Sequence, residues 1–242
     1  MKNYLTILSI LVMLSCKAQF PFEVFPKISY AAYNIAPYFS ESDSSYIGIS
    51  IIPTKNALST IRIEFKELDD DDSCNIFIYK ADSLFQTITE PLGVYPFLLP
   101  DSLYVADLNN DSLLDIKFFI YNTGCGLAAS LMGKVYLIGR EDGKFDKFSF
   151  MDFSTEIERD MNGDAIYEII GVDHDGFENH NYWIYDLFNI KNRQVINVSE
   201  QFDYAIMIQH LFRRNYAITQ NISRIKMKEF SRQKPDYYDE RK

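Results

Sequence analysis

The chain has no hydrophobic segment of the length that a membrane helix needs. Its apolar run from Tyr4 to Leu14 is shorter than the roughly 20 residues that span a bilayer, and no later segment is apolar enough to do so. The cationic start at Lys2, this run and the small residues behind it are typical of a secretory signal peptide. We therefore expect residues 1–15 to be removed and the mature chain to be exported and soluble, apart from any lipid anchor.

Basic residues are in deficit. The sequence has 24 Lys and Arg against 34 Asp and Glu, which gives a net charge of −10 at pH 7. An acidic surface repels phosphate backbones and anionic lipid headgroups. The composition therefore argues against nucleic-acid binding and against membrane docking through a basic patch, which leaves an N-terminal lipid as the expected membrane contact.

The common catalytic signatures are also missing. There is no GxSxG sequence, no glycine-rich phosphate loop and no Cys–His nucleophile pattern. Two of the three histidines fall in one polar cluster, which consists of Asp173, His174, Asp175, Glu178 and His180. This cluster could bind a transition metal or serve acid–base chemistry, but a polar loop between strands explains it better. The third, His210, lies in a predicted helix and is expected to be structural.

Cysteine is rare, with three residues, and the first belongs to the N-terminal processing signal. Leu14-Ser15-Cys16 resembles the lipobox of bacterial lipoproteins, in which the cysteine is acylated and becomes the new N-terminus. Cys16-Lys17-Ala18 also offers small residues for ordinary signal-peptidase cleavage. We expect a lipid anchor at Cys16, with a secreted or periplasmic protein cleaved near Ala18 as the alternative.

The two remaining cysteines, Cys74 and Cys125, form an even pair for an oxidising compartment. A disulfide between them would close a loop of about fifty residues and stabilise the fold by roughly 3–4 kcal/mol. The alternative is a pair of buried thiols, and the spacing does not choose between the two.

Apolar and aromatic residues, by contrast, are abundant. Hydrophobic residues make up 47% of the chain, and its 19 Phe and 17 Tyr favour packed β-structure. After an extended lead-in over residues 16–45, strand-like runs alternate with turns from residue 46 onward. The first unit, 46–89, has four such runs: 46–52, 60–67, 75–80 and 85–89.

Two further units, 103–150 and 155–199, share one order of strand, acidic loop, strand, longer loop, strand, tight turn and strand. Asp107 and Asp160, which open the acidic loops, lie 53 residues apart. Self-similarity at this period is typical of propeller blades or related β-arrays, and four antiparallel strands make one blade. We therefore predict a mainly β fold of four-stranded antiparallel repeats in a propeller-like array that three units leave incomplete. The alternative is two unrelated calcium turns in a β-sandwich.

The C-terminal segment changes character. Apolar residues in 201–214 and in 219–230 recur partly at helical intervals. We therefore predict a helical segment over 201–232, which would cap an open sheet edge. Residues 233–242 are predicted to form a flexible polar tail.

The acidic loops are two nine-residue ladders. The first ladder, DLNNDSLLD, presents oxygen donors on Asp107, Asn109, Asp111 and Asp115, and the second ladder, DMNGDAIYE, presents them on Asp160, Asn162, Asp164 and Glu168. Donors at positions 1, 3, 5 and 9, with a backbone carbonyl at position 7 from Leu113 or Ile166, would enclose Ca²⁺ in six or seven oxygens. An EF-hand is excluded, because the Glu at position 12 is replaced by Phe118 and Gly171.

These ladders resemble the calcium loops of the FG-GAP or VCBS-type repeat family, over about residues 103–122 and 156–173. The resemblance implies propeller-like blades, an extracytoplasmic location and adhesive or recognition roles, with the eight ladder residues as ligands of two calcium ions. The family pattern has Gly at position 6, where this chain has Ser112 and Ala165.

Together these features predict a non-catalytic, calcium-stabilised lipoprotein of the bacterial cell envelope that binds a protein or glycan at the cell surface. One alternative is an exported metal-dependent hydrolase that uses residues 173–180. Another is a structural subunit of a larger envelope complex.

Overall fold

A computed structural model describes residues 21–40, 45–53, 60–67, 73–92, 101–121, 125–210 and 218–241. Within these ranges the chain is mainly β and its strands pair antiparallel, which confirms the predicted fold class at that level. The strands in chain order are β1 (Ala31–Asn34), β2 (Ala36–Ser40), β3 (Ser45–Pro53), β4 (Thr60–Glu67), β5 (Cys74–Lys80), β6 (Ser83–Glu90), β7 (Ser102–Ala106), β8 (Asp115–Tyr121), β9 (Met132–Gly139), β10 (Phe145–Asp152), β11 (Ile169–Phe177), β12 (His180–Lys191), β13 (Gln194–Asn197), β14 (Ile206–Gln209) and β15 (Asp239–Arg241).

A five-stranded sheet contains β2 to β6, each strand next to its neighbour in sequence. Period-2 alternation sets its buried face. Along β5, Cys74, Ile76 and Ile78 are buried and the residues between them are half-buried. The sheet therefore packs through one face.

A six-stranded sheet has the order β1-β7-β8-β9-β10-β15, so that the meander β7 to β10 gains an edge strand from each end of the chain. β1 belongs to the segment predicted as a lead-in, and β15 to the tail predicted as flexible. The flexible-tail prediction was wrong, because residues Asp239–Arg241 pair with Lys147–Ser149 of β10.

A four-stranded sheet is organised around the long strand β12. β11 pairs along one edge of β12, from Phe177↔His180 to Ile169↔Phe188. The other edge is shared, because β13 pairs near Lys191 and β14 pairs near Tyr182.

The six-stranded sheet lies between the other two and is buried on both faces. Ile116, Phe118 and Leu137 pack against the five-stranded sheet. Side chains on the other face of the sheet, such as Tyr136 and Phe150, pack against the four-stranded sheet. This two-sided burial explains why β9 is an almost continuous apolar run.

Three lysines lie inside this stack, each paired with a carboxylate, as charges in a buried position require. Lys117 pairs with Glu158 at 2.6 Å, Lys134 with Asp152 at 2.7 Å and Lys147 with Glu90 at 2.9 Å. The Lys117 and Lys147 pairs attach the six-stranded sheet to segments outside it, whereas the Lys134 pair joins β9 to β10 within it.

The C-terminal region departs from its predicted helices. The structure describes the segment 201–214 as far as residue 210, and this part begins with the end of a 3₁₀ turn (Ser199–Phe202), which is followed by β14. Ile206 and Ile208 face one apolar cluster and Met207 faces another, so the segment follows a strand period and completes the free part of the β12 edge. The second predicted helix survives as one short helix, α1 (Arg224–Lys228).

No helix in the described part of the chain is long and apolar enough to cross a membrane.

Candidate functional site

The first ladder is a tight loop between β7 and β8, closed by its own acidic side chains. The Asp107 carboxylate accepts hydrogen bonds from the backbone N–H groups of Asp111 at 3.1 Å and Ser112 at 2.8 Å. The Asp111 carboxylate accepts from the Leu113 N–H at 2.8 Å and from the Asn109 amide at 2.8 Å. Short acidic side chains bonded to N–H groups a few residues ahead are the usual chemistry of Asx turns.

The second ladder repeats this arrangement before β11. Asp160 accepts from the N–H groups of Gly163 at 2.6 Å and Ala165 at 3.1 Å. Asp164 accepts from the Ile166 N–H at 2.8 Å and from the Asn162 amide at 2.9 Å. The two ladders therefore share the hydrogen bonds that the position-6 N–H donates to position 1, and those that the position-7 N–H and the position-3 amide donate to position 5.

The ladders also touch one another. The Asn110 amide donates to the Asp164 carbonyl at 3.3 Å, and the Tyr167 N–H donates to the Leu108 carbonyl at 2.9 Å. The fold thus brings two loops that are 53 residues apart in sequence into direct contact.

Position 6 of each ladder has a left-handed backbone. Ser112 has φ +65° and Ala165 has φ +63°, although neither is glycine. A side chain in this region costs about 1–2 kcal/mol relative to ordinary backbone geometry. Each ladder therefore holds a strained residue where the resembling family has Gly.

The position-9 carboxylates are buried beneath the loops. Asp115 accepts from the N–H groups of Leu108 at 2.8 Å and Gly139 at 2.9 Å, and Glu168 accepts from the Met161 N–H at 3.0 Å. Burial, with nearby Asp111 and Asp107, raises the pKa of Asp115 to about 7. Burial, with nearby Asp164 and Asp160, raises the pKa of Glu168 to about 7. Each ladder thus accumulates negative charge, which a cation would offset.

The oxygen donors of the ladders fit a hard cation in chemical type. Their side chains do not converge on one point as a closed coordination shell. Each offers three carboxylates and one amide, and the Asn109 Oδ1 atom is buried with no hydrogen-bond partner among the described residues. Among the residues that the structure describes, no three His, Cys, Asp or Glu side chains converge as a metal site. The carboxylates instead accept the loop N–H bonds given above.

The histidine cluster does not form one site. Its residues belong to the β11–β12 hairpin rather than to the predicted loop, with a turn at Glu178 and Asn179. His174 pairs with Trp183 and contacts the His210 ring at 5.6 Å, whereas the His180 ring lies 6.4 Å from Tyr182 and its Nδ1 lies 3.0 Å from Gln209. Because neighbouring strand residues alternate faces, His174 and His180 lie on opposite sides of the hairpin.

The remaining candidates are the cysteines. Cys74 is buried on β5 and Cys125 is exposed beyond β8, and no disulfide joins them. Cys16 and the predicted signal sequence 1–15 lie outside the described residues.

The sequence did not reveal a cleft of about 590 Å³ beside the six-stranded sheet. Its lining comes from the segment before β1, from β7 and β8, and from the segment after β10. The buried Lys117 lies at the base of the cleft. Its aromatic wall includes Tyr30, Tyr104, Phe119 and Tyr121. A lysine in the middle of the apolar strand DIKFFIY was the one signal of a polar site there.

Comparison of the chain with protein-family models, with curated proteins and with solved structures finds no match. The fold and the ladders together define an antiparallel β protein of stacked sheets with paired acidic loops.

Proposed function

We propose that this chain is a non-catalytic binding protein of the bacterial cell envelope, built from propeller-like β-repeats that calcium stabilises. The observation that carries the proposal is the pair of ladders, which have matching oxygen donors and share the hydrogen bonds from positions 6 and 7 to the carboxylates at positions 1 and 5. Two such loops in contact are difficult to explain as unrelated turns.

The repeat interpretation is supported by the strand order around the ladders. The first ladder joins β7 to β8, the first pair in the β7–β10 meander. The second ladder begins directly after Arg159 and ends at Glu168, and these two residues form a single antiparallel bridge. It is followed by β11, β12 and β13. Face-to-face packing of these sheets is the relation that neighbouring propeller blades have.

In each ladder the calcium ligands would be the side chains at positions 1, 3, 5 and 9 and the carbonyl of Leu113 or Ile166. The ion would offset two of the three carboxylate charges and cross-link a loop that contains a strained position-6 residue. Its role would be to stabilise the fold, since the first ladder connects β7 to β8 and the second leads directly into β11.

A binding role is favoured over the hydrolase alternative by the arrangement of the histidines. A metal-dependent hydrolase that uses residues 173–180 needs His174 and His180 in one site, and these side chains lie on opposite faces of the hairpin. For the envelope location, the support is the signal-like N-terminus and the lipobox-like Leu14-Ser15-Cys16.

The calcium proposal predicts a change in thermal stability. With a Kd of about 1 mM, which is typical of extracellular sites, Ca²⁺ at about tenfold excess adds roughly 1.4 kcal/mol for each site. We expect millimolar Ca²⁺ to raise the melting temperature, and Asp111→Ala combined with Asp164→Ala to abolish the rise. Calorimetry with Ca²⁺ and with chelator measures both.

The matched control is Glu141→Ala combined with Glu200→Ala, which removes two exposed carboxylates outside the ladders. This variant should respond to Ca²⁺ as the wild type does. Identical melting curves of the wild type in Ca²⁺ and in chelator would overturn the calcium proposal.

The anchor proposal is tested separately in cells. A fatty-acid analogue should label the native chain, and Cys16→Ala should remove the label because the acylated thiol is lost. Label that persists in Cys16→Ala, or no label in the wild type, would rule out lipidation at Cys16.

A further inference from the structure

The aromatic cleft beside the six-stranded sheet has the properties of a ligand site. It is concave, its volume of about 590 Å³ lies in the range of small-molecule sites, and its lining mixes aromatic and polar side chains. It lies at the β7–β8 end of the sheet and borders the apolar cluster between this sheet and the four-stranded sheet, to which Ile28, Tyr30 and Ile157 belong.

The base of the cleft is a fully buried ion pair. Lys117 is 2% exposed and Glu158 is 0% exposed, with Lys117 Nζ at 2.6 Å from Glu158 Oε1. The Tyr30 and Tyr136 hydroxyls each donate to the Glu158 carboxylate at 2.6 Å. This network holds the base rigid, which lowers the entropy that a bound ligand must lose.

The base carries a cation and an anion in contact, so its net charge is zero. Burial lowers the pKa of the Lys117 ammonium. Burial acts to raise the pKa of Glu158, but the Lys117 charge and the hydrogen bonds from Lys117, Tyr136 and Tyr30 outweigh it and lower the pKa. Among the residues that the structure describes, Lys117 alone of the Asp, Glu, Lys and Arg side chains lines the cleft. A charged ligand would therefore find no uncompensated partner there.

The wall of the cleft is a row of aromatic rings. Tyr30 and Tyr104 have ring centroids 5.9 Å apart, and Tyr104 and Phe119 have centroids 6.1 Å apart, both in edge contact. Tyr121 extends the row and is 38% exposed. Ser29 and Thr155 add hydroxyl groups at the same cleft.

We propose that this cleft binds a neutral saccharide, a proposal that rests on the binding role given above and names its ligand class. A pyranose presents C–H bonds of partial positive charge on one face, and these pack against the negative faces of aromatic rings. Its hydroxyl groups bond to side-chain hydroxyls such as Ser29 and Thr155. The cleft thus matches an uncharged sugar, because it combines a rigid aromatic wall, a few hydroxyl groups and a base whose net charge is zero.

The test uses the full chain and a set of defined probes. Cellotetraose, maltotetraose and tetra-N-acetylchitotetraose are the neutral probes, and tetragalacturonic acid is the anionic one. Saturation-transfer NMR detects binding, and isothermal titration measures the affinity. We expect at least one neutral probe to bind at millimolar concentration or below and the anionic probe to bind more weakly.

Two ring-removing variants locate the site. Tyr104→Leu and Tyr121→Leu keep an apolar side chain but remove the aromatic face, so each should weaken binding by up to about tenfold. The matched control is Tyr79→Leu on the outer face of the five-stranded sheet, which should bind as the wild type does. Because Tyr121 is at the end of β8 and partly exposed, its variant is expected to fold.

Three results would overturn the proposal: no neutral probe binds, the anionic probe binds better than every neutral one, or both cleft variants keep the wild-type affinity. These results leave the calcium response and the Cys16 label untouched. The failure of the saccharide site is therefore distinguishable from the failure of the calcium and anchor proposals.

Discussion

At the scale of single residues, the position-6 residues of the ladders are the clearest departure from local preference. Ser112 and Ala165 are exposed and have φ values of +65° and +63°. Each is held there by its N–H, which donates to the position-1 carboxylate. The hydrogen bond offsets part of the cost of the left-handed backbone.

Replacing Ser112 by Gly should therefore stabilise the protein. Relief of left-handed strain exceeds the added entropy of the unfolded chain, so we expect a gain of up to about 1 kcal/mol in the free energy of unfolding. Urea denaturation measures it. Ala32→Gly, an exposed strand residue outside the positive-φ set, is the control and should lose about 0.5–1 kcal/mol. A loss in Ser112→Gly of the same size as in the control would contradict the argument.

His174 supplies a pH dependence at the same scale. Burial, with the neighbouring His210, lowers its pKa from 6.5, against the opposing effect of Asp173 and Asp175. At pH values between the lowered pKa and 6.5, His174 is therefore protonated in the unfolded chain and neutral in the folded chain. Stability rises with pH across that window and is lost as the pH falls through it.

The buried carboxyls of Asp115 and Glu168, with pKa values near 7, act in the opposite direction in any variant that keeps them, so the effect of His174 is measured as a difference. We expect the change in melting temperature from about pH 5 to about pH 7 to be less positive in His174→Phe, which has no group to protonate, than in the wild type. Thermal melts at a series of pH values measure the slope. Asn181→Thr, an exposed change on the same hairpin, should keep the wild-type slope. An unchanged slope in His174→Phe would assign the pH dependence to other groups.

At the scale of elements, buried ion pairs connect strands of different sheets and fix their relative positions, which non-directional apolar contacts do less specifically. Lys147 on β10 bonds to Glu90 at the end of β6 at 2.9 Å and also pairs with Asp239 on β15. One side chain thus joins the five-stranded sheet, the six-stranded sheet and the C-terminal edge strand. Such a pair is costly to break, because either partner alone is a buried charge.

Lys147→Met should lower the free energy of unfolding by about 3–5 kcal/mol, since it leaves the Glu90 carboxylate buried without a cation. The double variant Lys147→Met with Glu90→Leu should lose less, because no unpaired charge remains. Denaturant titrations of the wild type, Lys147→Met, Glu90→Leu and the double variant measure the free energy of unfolding of each protein in this cycle. Lys226→Met, which breaks an exposed pair with Glu229, is the control and should lose less than about 1 kcal/mol. A double variant as unstable as the single one would refute the argument.

At the scale of the whole molecule, the stack of three sheets sets the environment of every site described here. The six-stranded sheet is covered on both faces, and the two ladders meet at the margin where it faces the four-stranded sheet, with Leu108 buried in their shared core. The aromatic cleft opens where that cover ends. Loops and cleft thus depend on the relative placement of sheets, which no local segment specifies.

Much of the strand content was predictable, because turns and period-2 alternation are local signals. Strands β3 to β5 and β7 to β10 lie close to their predicted positions. The helix predicted over 201–214 was wrong in its described part, 201–210, because the apolar spacing there also suits a strand, and pairing with the free edge of β12 decided between the two. The edge strand β15 was missed for a related reason: three polar residues form a strand only where a partner is available.

The two ladders were found from chemistry alone, because donor spacing over nine residues is a local property that survives any packing. Their mutual contact, the raised pKa values of Asp115 and Glu168 and the pairing of Lys117 with Glu158 depend on burial between segments that are distant in sequence. Packing likewise separated His174 from His180, which are only six residues apart, because strand geometry sends them to opposite faces. Short-range spacing therefore identified the acidic loops, whereas tertiary structure decided which charged groups meet, since burial and distance control their energies.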